Sequence, residues 1–330
     1  MSYQTGAATS TVDLLQQLVT WLVSIGWTQD RSASEGLGWT ASLHKSGNYV
    51  HLRATMNEST PWYAGNSGSS YALDLFLGTA YNAALGWCGQ ATGAPVSIPG
   101  APVGVGMHLS AGPFTNYFFF ADAAGDNIVI VVQVSPVLFV HLGWGLSLTK
   151  AGSWTGGPYF FGSTSGYGTT SGGGGASEGF NITSDCPFVR MDALNAACGF
   201  VRADVDTFTG KWLAISPTTN ASYGYQGKVG DSSVRGYANA MPVNFPVYAY
   251  SSYSYHFQYE QVSAQDGRAN LLPILLWALR DGTTTGYSLL GTVPNVFVAN
   301  AVGNGFSPAD EYVLGGTTYK LFPNFAVVKQ

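Results

Sequence analysis

Charged residues are unusually scarce in this sequence. Only 9% of its 330 residues are Asp, Glu, Lys or Arg, whereas an ordinary globular domain carries about 25%. Disordered chains gain charge and lose aromatic residues, but here aromatic residues make up 14% and hydrophobic residues 46%. The chain therefore has enough apolar side chains to form a large core, but few charged side chains to repel other copies of itself in water. We expect copies of the chain or partner proteins to cover much of its surface. The alternative is a β-rich protein with a neutral, hydroxyl-coated surface.

Basic clusters and long apolar runs are also missing. The 13 Lys and Arg residues are scattered, so nucleic acid is not predicted as a main ligand. The longest apolar runs, 128–132 and 274–279, are much shorter than the roughly 20 residues of a membrane-spanning helix, so no membrane contact is predicted. No Lys or Arg precedes Arg31, so no secretory leader is predicted and synthesis in the cytoplasm is the expectation.

Cysteine is rare as well. Cys88, Cys186 and Cys198 are an odd number and form no Cys-x-x-Cys pair. A disulfide framework or a zinc site would show different spacing. Buried free thiols are therefore predicted.

One segment near the start has the pattern of a helix. Apolar residues recur at helical spacing over 11–25. Ser10 followed by Asp13 resembles a capping box, and Gly26 suits a C-terminal cap. An amphipathic helix is predicted over 11–25.

The next segment has the pattern of a hairpin. Residues 39–45 alternate, the chain turns at 46–48, and residues 49–54 return as a second strand. The predicted inward residues are Val50, Leu52 and Ala54, and the predicted solvent-facing residues are His51 and Arg53.

The most apolar strands lie between 117 and 148. Residues 117–121 and 128–134 form the strongest hairpin pattern, and 138–148 adds a third strand. These strands are apolar on both faces, which predicts a sheet that is covered on both sides. Helices or neighbouring subunits are the two candidates for that cover.

Together these patterns predict a mostly β, α+β fold with antiparallel sheets in β-sandwich-like lobes and one N-terminal amphipathic helix. The glycine-rich segment 162–179 is predicted to be a linker or loop. It would separate an N-terminal α+β lobe, 1–161, from a C-terminal β-rich lobe, 180–330. Strands of the second lobe are predicted at 211–216, 246–250, 255–262, 271–280 and 293–299, and Pro273 favours an edge position for one of them.

Residues for catalysis or metal binding are few. His44 and His51 flank the first hairpin, and a pair of solvent-facing histidines is a better interpretation of them than a metal site. Asp204 and Asp206 share a face of a possible strand and leave a metal or acid/base role open. Phosphate-binding loops and a nucleophile elbow are missing from the sequence. No catalytic residue, cofactor or metal is therefore predicted, and a hydrolase using the two aspartates is the weakest alternative.

Aromatic residues interleaved with serine are the best candidates for a contact surface. Tyrosine and serine together are typical of adaptable binding surfaces. A protein–protein interface explains them best, a carbohydrate site is the alternative, and core packing explains some of them equally well. The candidate interface residues are Tyr248, Tyr250, Tyr253, Tyr255, Tyr259, Trp144 and Trp154.

Several segments resemble structural proteins of tailed bacteriophages. They are SYQTGA (2–7), DLLQQL (13–18), GW (26–27), YFFFAD (117–122), VQVSP (132–136), HLGWG (141–145), GSWTGG (152–157), LGTVP (290–294), FSPAD (306–310) and GGTTYKLFP (315–323). The resemblance implies a non-enzymatic virion component, assembled in the host cytoplasm, at the neck or collar or in the tail. Its partners would be copies of itself and other virion proteins. A receptor- or glycan-binding module of the same particle, in contact with host surface glycan, is the alternative.

Overall fold

The computed structural model confirms the predicted fold class: the part of the chain that it describes is mostly β, with a single α-helix near the N-terminus. It describes residues 1–58, 70–90, 96–98, 101–102, 104–165, 187, 199–205, 208–215, 237–242, 269, 271–279, 287–299, 302 and 305–330. The helix α1 spans Thr11–Ser24, and a 3-10 turn spans Trp87–Gly89. The strands are β1 Ser2–Ala8, β2 Thr28–Glu35, β3 Gly38–Lys45, β4 Asn48–Glu58, β5 Ser70–Gly78, β6 Val96–Ile98, β7 Ala101–Pro102, β8 Val105–His108, β9 Phe114–Ala121, β10 Asn127–Ser135, β11 Leu138–Gly145, β12 Thr149–Lys150, β13 Thr155–Gly162, β14 Thr164–Ser165, β15 Gly199–Val205, β16 Phe208–Ile215, β17 Tyr237–Pro242, β18 Leu271–Leu279, β19 Tyr287–Ala299, β20 Glu311–Leu314, β21 Thr317–Leu321 and β22 Phe325–Val328.

The helix α1 forms where the periodicity and caps predict it. Ser10 Oγ accepts a hydrogen bond from the Asp13 amide at 3.2 Å, and Asp13 Oδ2 accepts one from the Thr9 amide at 2.7 Å. These bonds satisfy amides that the first turn leaves unpaired, and the carboxylate suits the positive end of the helix dipole. Gly26 follows the helix with φ of 95°, a conformation that favours glycine.

A small sheet of six strands packs beside the helix. Its strand order is β14-β8-β5-β4-β3-β2. The predicted hairpin is confirmed as β3 and β4, with Ser46 and Gly47 in the turn at φ of 50° and 77°. Val50, Leu52 and Ala54 point inward as predicted and are fully buried. They pack with the helix against the large sheet and form the first core.

The large sheet contains fourteen of the described strands. Its order is β1-β9-β10-β11-β13-β15-β16-β17-β18-β19-β22-β21-β20, with β12 paired to β19. Its pairs are antiparallel except for β16 with β17. Strands from the two halves of this sheet contribute to a second core, which unites residues of β9–β11 with residues of β18, β19 and β22. The sheet therefore folds back on itself.

The doubly apolar strands β9–β11 lie between the two cores. Phe119 and Ile130 point into the first core, whereas Phe118 and Val131 point into the second. Both faces are thus covered, as their pattern predicts. The cover comes from the same chain: the helix and small sheet on one side, and strands of the large sheet on the other.

Strands from both predicted lobes belong to this one sheet. β13 pairs directly with β15, which places Thr155 beside Asp204. Residues 166–179 of the predicted linker lie outside the described residues, as do the predicted strands 246–250 and 255–262. The division into two lobes stays a prediction.

The strand β18 shows why a proline is tolerated inside a sheet. Pro273 pairs with Phe297 of β19, whereas pairing with β17 begins only at Ile274. Among the described pairs Pro273 has no partner on β17, so its missing N–H removes none of the described ladder bonds on that side. The strand is confirmed, but it is internal in the sheet order rather than an edge strand.

One polar residue of the second core has no polar partner. His141 of β11 is 1% exposed and lies beside the rings of Phe161 and Phe325, at centroid distances of 5.9 and 5.3 Å. Neither ring nitrogen has a hydrogen-bond partner among the described residues. Burial lowers the pKa of His141 to about 3, because an imidazolium in an apolar site loses its hydration.

We predict that His141→Leu makes the fold less sensitive to acid. Between pH 6.5 and about 3 the unfolded chain binds a proton that the folded His141 does not, so stability falls as pH falls through this window. Replacing the histidine should lessen that fall by up to about 1.4 kcal/mol per pH unit. Urea denaturation at pH 7, 6, 5 and 4 measures the slope. The control Val140→Ala should lower stability at every pH without changing the slope; an unchanged slope in His141→Leu would contradict the prediction.

Candidate functional site

The residues predicted for a contact surface fall into three groups. Tyr248, Tyr250, Tyr253, Tyr255 and Tyr259 lie outside the described residues, so their role stays a prediction. Trp144 is fully buried in the first core, where its ring meets Trp27 edge to face at 5.8 Å. Its assignment to a contact surface needs correction, because a core ring is not accessible to a partner. Apolar alternation alone could not separate a core tryptophan from a surface one.

Trp154 lies half-buried at the border of the second core. Its indole N–H donates to the Leu290 carbonyl at 2.9 Å, and the Lys150 ammonium lies 4.8 Å from the ring centroid. The ring thereby links the segment after β12 to β19. Part of its surface remains open, so a contact role for Trp154 stays a prediction.

A buried layer of polar side chains covers the outer face of the small sheet. The strand register places Ser42 beside His51 and Thr40 beside Arg53, and Arg53 faces Asp74 on the next strand. The members of this polar layer are at most 8% exposed. They are Thr40, Ser42, His51, Arg53, Thr55 and Asp74.

The predicted exposure of His51 and Arg53 is therefore wrong. Alternation places them correctly on the face opposite Val50, but that face is covered rather than solvated. The cover is the segment 79–90, whose Trp87 ring packs on Phe76 at a centroid distance of 5.0 Å. The Arg53 guanidinium lies 5.9 Å from the centroid of the same Trp87 ring. The sequence of β4 does not predict this cover, because the covering segment 79–90 is distant from β4 along the chain.

Polar contacts hold this covering segment in place. Glu35 accepts from the Trp87 amide at 3.1 Å and from Arg31 Nη2 at 3.1 Å. Arg31 Nη1 also donates to the Leu85 carbonyl at 3.1 Å. Gln90, itself 4% exposed, donates to the carbonyls of Asn82 and Leu85 at 2.9 Å. The segment is thus fastened both to the edge strand β2 and to itself.

The polar layer contains a serine beside a histidine. Ser42 Oγ lies 2.9 Å from His51 Nδ1, a distance that suits a nucleophile and its base. Both side chains are buried, however, at 3% and 0% exposure, so a substrate cannot reach them in this conformation. Burial lowers the pKa of His51 to about 4, whereas a hydrogen bond with the Ala80 backbone acts in the opposite direction. We assign this neutral pair to packing beneath the covering segment.

Cys88 lies half-buried in the same segment. Burial raises the pKa of its thiol to about 11, although Arg53 nearby acts in the opposite direction. A thiol with such a pKa is almost fully protonated at neutral pH and is a poor nucleophile. The prediction of a free thiol is confirmed for Cys88, whereas Cys186 and Cys198 lie outside the described residues.

Asp74 is accommodated by a glycine on the neighbouring strand. A Cβ at Gly106 would come within 2.3 Å of Asp74 Oδ1, so a side chain at this position would displace the carboxylate. The close approach explains why β8 carries a glycine directly opposite the carboxylate.

Metal binding has no candidate site in the part of the chain that the structure describes. No three His, Cys, Asp or Glu side chains come together there. Asp206 and the side chain of Asp204 lie outside that part, so their role stays open. Among the described helices none has the length and apolar character needed to cross a membrane.

Among the described residues, seven large apolar side chains are exposed, and four of them lie at three hairpin tips. The exposed fractions are 67% for Leu37, 75% for Val137, 63% for Val313 and 50% for Leu314. Leu37 lies between β2 and β3, Val137 between β10 and β11, and the other two lie at the end of β20. Turns usually carry polar residues or glycine, so apolar tips are unusual for a surface in contact with water alone. We call these four residues the apolar tips.

Neither protein-family models nor curated proteins match the chain. The resemblance to phage virion proteins stays a prediction from the sequence segments.

We predict that Glu35→Ala loosens the covering segment. The change removes the acceptor of the Trp87 amide and the partner of Arg31, and it should lower the free energy of unfolding by about 1–3 kcal/mol. Hydrogen exchange at the Trp87 amide should become faster, as mass spectrometry of the peptide that contains it can measure. Glu35→Gln retains an acceptor oxygen and should have a smaller effect. Equal exchange in Glu35→Ala and the parent chain would show that the carboxylate does not hold the segment.

We predict slow alkylation of Cys88 below pH 10. A pKa about two units above the ordinary value leaves roughly a hundredfold less thiolate at pH 8 than an unperturbed cysteine would have. Iodoacetamide modification of the Cys88 peptide, followed by mass spectrometry from pH 7 to 11, should rise steadily through the whole range. A plateau at pH 9 would contradict the burial of the thiol. Urea-unfolded protein is the control.

Proposed function

We propose that this chain is a structural subunit of a tailed-phage virion, at the neck or collar or in the tail. It would assemble in the host cytoplasm through contacts with copies of itself and with other virion proteins. The proposal rests on the sequence segments that resemble such proteins, on the scarcity of charge and on the surface of the fold. The apolar tips are the structural observation that carries it.

The apolar tips support assembly because large apolar side chains exposed to water gain free energy when a partner covers them. Contact with a partner would remove their exposed side chains from water, at roughly 25 cal/mol per Å² of apolar area. They lie at the ends of hairpins, which can reach a neighbour without disturbing the cores. A subunit with 9% charged residues has few like charges to oppose such contacts.

The strands β9–β11 do not add support for assembly. Their apolar faces are covered within the chain, so they need no neighbouring subunit. The scarcity of charge therefore favours assembly only through the outer surface, where the apolar tips are the exposed apolar side chains of the described turns.

The alternative of a receptor- or glycan-binding module depends on the tyrosines between 248 and 259. These residues lie outside the described part of the chain, and no described contact favours that role over assembly. Loss of host-cell binding in Tyr253→Ala with Tyr255→Ala would favour it.

The direct test is the composition of particles. We expect mass spectrometry of purified virions from the phage that carries this gene to detect the chain at a fixed copy number. Cryo-electron microscopy should place it in a symmetric ring or layer. A monodisperse monomer at high concentration that is absent from purified particles would refute the proposal.

We predict that Val137→Asp impairs assembly without impairing folding. A carboxylate at a tip would remain charged and would resist burial against a partner, but at 75% exposure it costs the monomer little. The thermal midpoint should stay within about 2 °C of the parent chain, because surface changes usually alter stability by less than about 0.5 kcal/mol. Incorporation into particles, measured by mass spectrometry, should fall at least severalfold. Gln16→Glu, which adds the same charge on the exposed side of α1, should incorporate normally.

A further inference from the structure

The covering segment 79–90 is anchored to the small sheet by a single large apolar side chain. Of its twelve residues only Trp87 and Gln90 are buried. Trp87 packs with Phe76 and Cys88 in a small apolar cluster that is separate from the two large cores. Moving the segment away from the sheet would therefore expose this ring and the surface beneath it, while both large cores stay closed.

The surface beneath the covering segment is polar. It is formed by the polar layer of Thr40, Ser42, His51, Arg53, Thr55 and Asp74. An antiparallel sheet commonly packs one face on a core and leaves the other face in water. The small sheet would have this arrangement after opening, because Val50, Leu52 and Ala54 on its opposite face belong to the first core. Opening therefore costs less free energy than exposing an equal apolar area, since polar side chains gain hydration.

Bonds within the covering segment allow it to move as one unit. Gln90 Nε2 donates to the Asn82 and Leu85 carbonyls at 2.9 Å each, and Gln90 Oε1 accepts from the Asn82 amide at 2.8 Å. The two ends of the segment are thus joined by one of its own side chains, as in other compact surface loops. Such loops open locally with a smaller free energy than the whole fold requires.

His51 lies where the covering segment meets the sheet. Its Nδ1 is 2.9 Å from Ser42 Oγ within the sheet, whereas a hydrogen bond joins its ring to the Ala80 backbone of the segment. The ring centroid lies 4.8 Å from that of Phe76, on which Trp87 packs. The imidazole is 0% exposed, so water can hydrate it only when the segment moves away.

We infer that the covering segment opens independently of the two cores when the pH falls, and that proton binding by His51 stabilises the open state. Beneath the segment the pKa of His51 is about 4, whereas a hydrated histidine has a pKa of about 6.5. The open state therefore binds a proton that the closed state does not. The closed state is fully stable above pH 6.5 and loses stability as the pH falls toward 4. Opening does not depend on the proposed assembly.

Other titratable groups line or border the polar layer. The charged ones are Arg31 and Glu35 of β2, Arg53 of β4 and Asp74 of β5. The others are His44 of β3, Tyr49 of β4, His108 of β8, and Tyr81 and Cys88 of the covering segment. Carboxylates ordinarily titrate near pH 4, so a measurement between pH 7 and 5 reports mainly on histidines. His44 Nδ1 lies 2.8 Å from Asp30 Oδ2 of β2, a contact that does not involve the covering segment.

Hydrogen exchange at the Trp87 amide tests this opening, because that amide bonds to Glu35 of the sheet. Protection is the ratio of the intrinsic to the observed exchange rate, and mass spectrometry with fragmentation of the peptide measures it. In the parent chain, protection should fall roughly twentyfold between pH 7 and 5, as expected for one proton that binds with a pKa of 6.5 in the open state and about 4 in the closed state. In His51→Gln, whose side chain is polar but does not titrate, protection should fall less than about twofold.

Three matched variants separate His51 from the other histidines. His44→Gln and His108→Gln should each retain the full fall in Trp87 protection. They also test the inference by elimination if His51→Gln does not fold, because loss of the fall in either one would overturn it. His141→Leu should retain the fall as well, since the second core stays closed during opening. Circular dichroism reports on the folding of each variant.

The fall in the parent chain and the three matched variants, together with its loss in His51→Gln, supports acid opening through His51. Equal protection of the Trp87 amide at pH 7 and 5 overturns it, and so does a fall that persists in His51→Gln. Exchange at Trp87 as slow as at the amides between β3 and β4 also overturns it, because the segment would then open only with the whole fold. The presence or absence of the chain in particles bears on the proposed function alone.

Discussion

The fold depends on one strand, β9, that supplies large side chains to two cores at once. Phe118 and Phe120 point into the second core, and Phe119 between them points into the first. Burying each ring contributes roughly 1.5–3 kcal/mol relative to leaving it exposed. Phe322 from the far end of the chain lies 5.5 Å from Phe118 and 6.2 Å from Phe120. The period of two along a strand thus joins the small sheet, the helix and the last strands of the chain through three consecutive residues.

Several charged residues in the described part of the chain join one segment to another. Lys45 at the end of β3 forms an ion pair with Asp126 in the turn after β9, at 3.1 Å, and donates to the Ala124 carbonyl. Glu35 and Arg31 hold the segment that covers the polar layer. Glu311 joins two lysines near the C-terminus, which lowers the pKa of its carboxyl through the hydrogen bond from Lys329. Charges used in this way do little to keep copies of the chain apart, in keeping with the proposed role in assembly.

The described surface offers binding elements rather than reactive ones. His51 of the small sheet and His141 of the second core are buried, and burial lowers the pKa of both, whereas burial raises the pKa of the Cys88 thiol. Large apolar side chains are exposed at the hairpin tips. They suit contacts between proteins, where burial of apolar side chains contributes to the affinity, and this is the feature on which the proposed structural role depends.

Local patterns in the sequence determined the helix and the most apolar or most regularly alternating of the described strands, among them β3, β4 and β9–β11. Helical spacing and caps are properties of neighbouring residues, so α1 was predictable almost to its last residue. The alternation of β4 likewise placed Val50, Leu52 and Ala54 on the correct face, and the doubly apolar pattern of β9–β11 required cover on both sides. Tertiary structure alone decided what provides each cover. His51 and Arg53 are buried because the segment 79–90 folds over them, Trp144 is a core residue because Trp27 packs against it, and the last strands of the large sheet close the second core. These contacts join residues tens to hundreds of positions apart, and a pattern within one strand states that a face is apolar or polar but not what will lie against it.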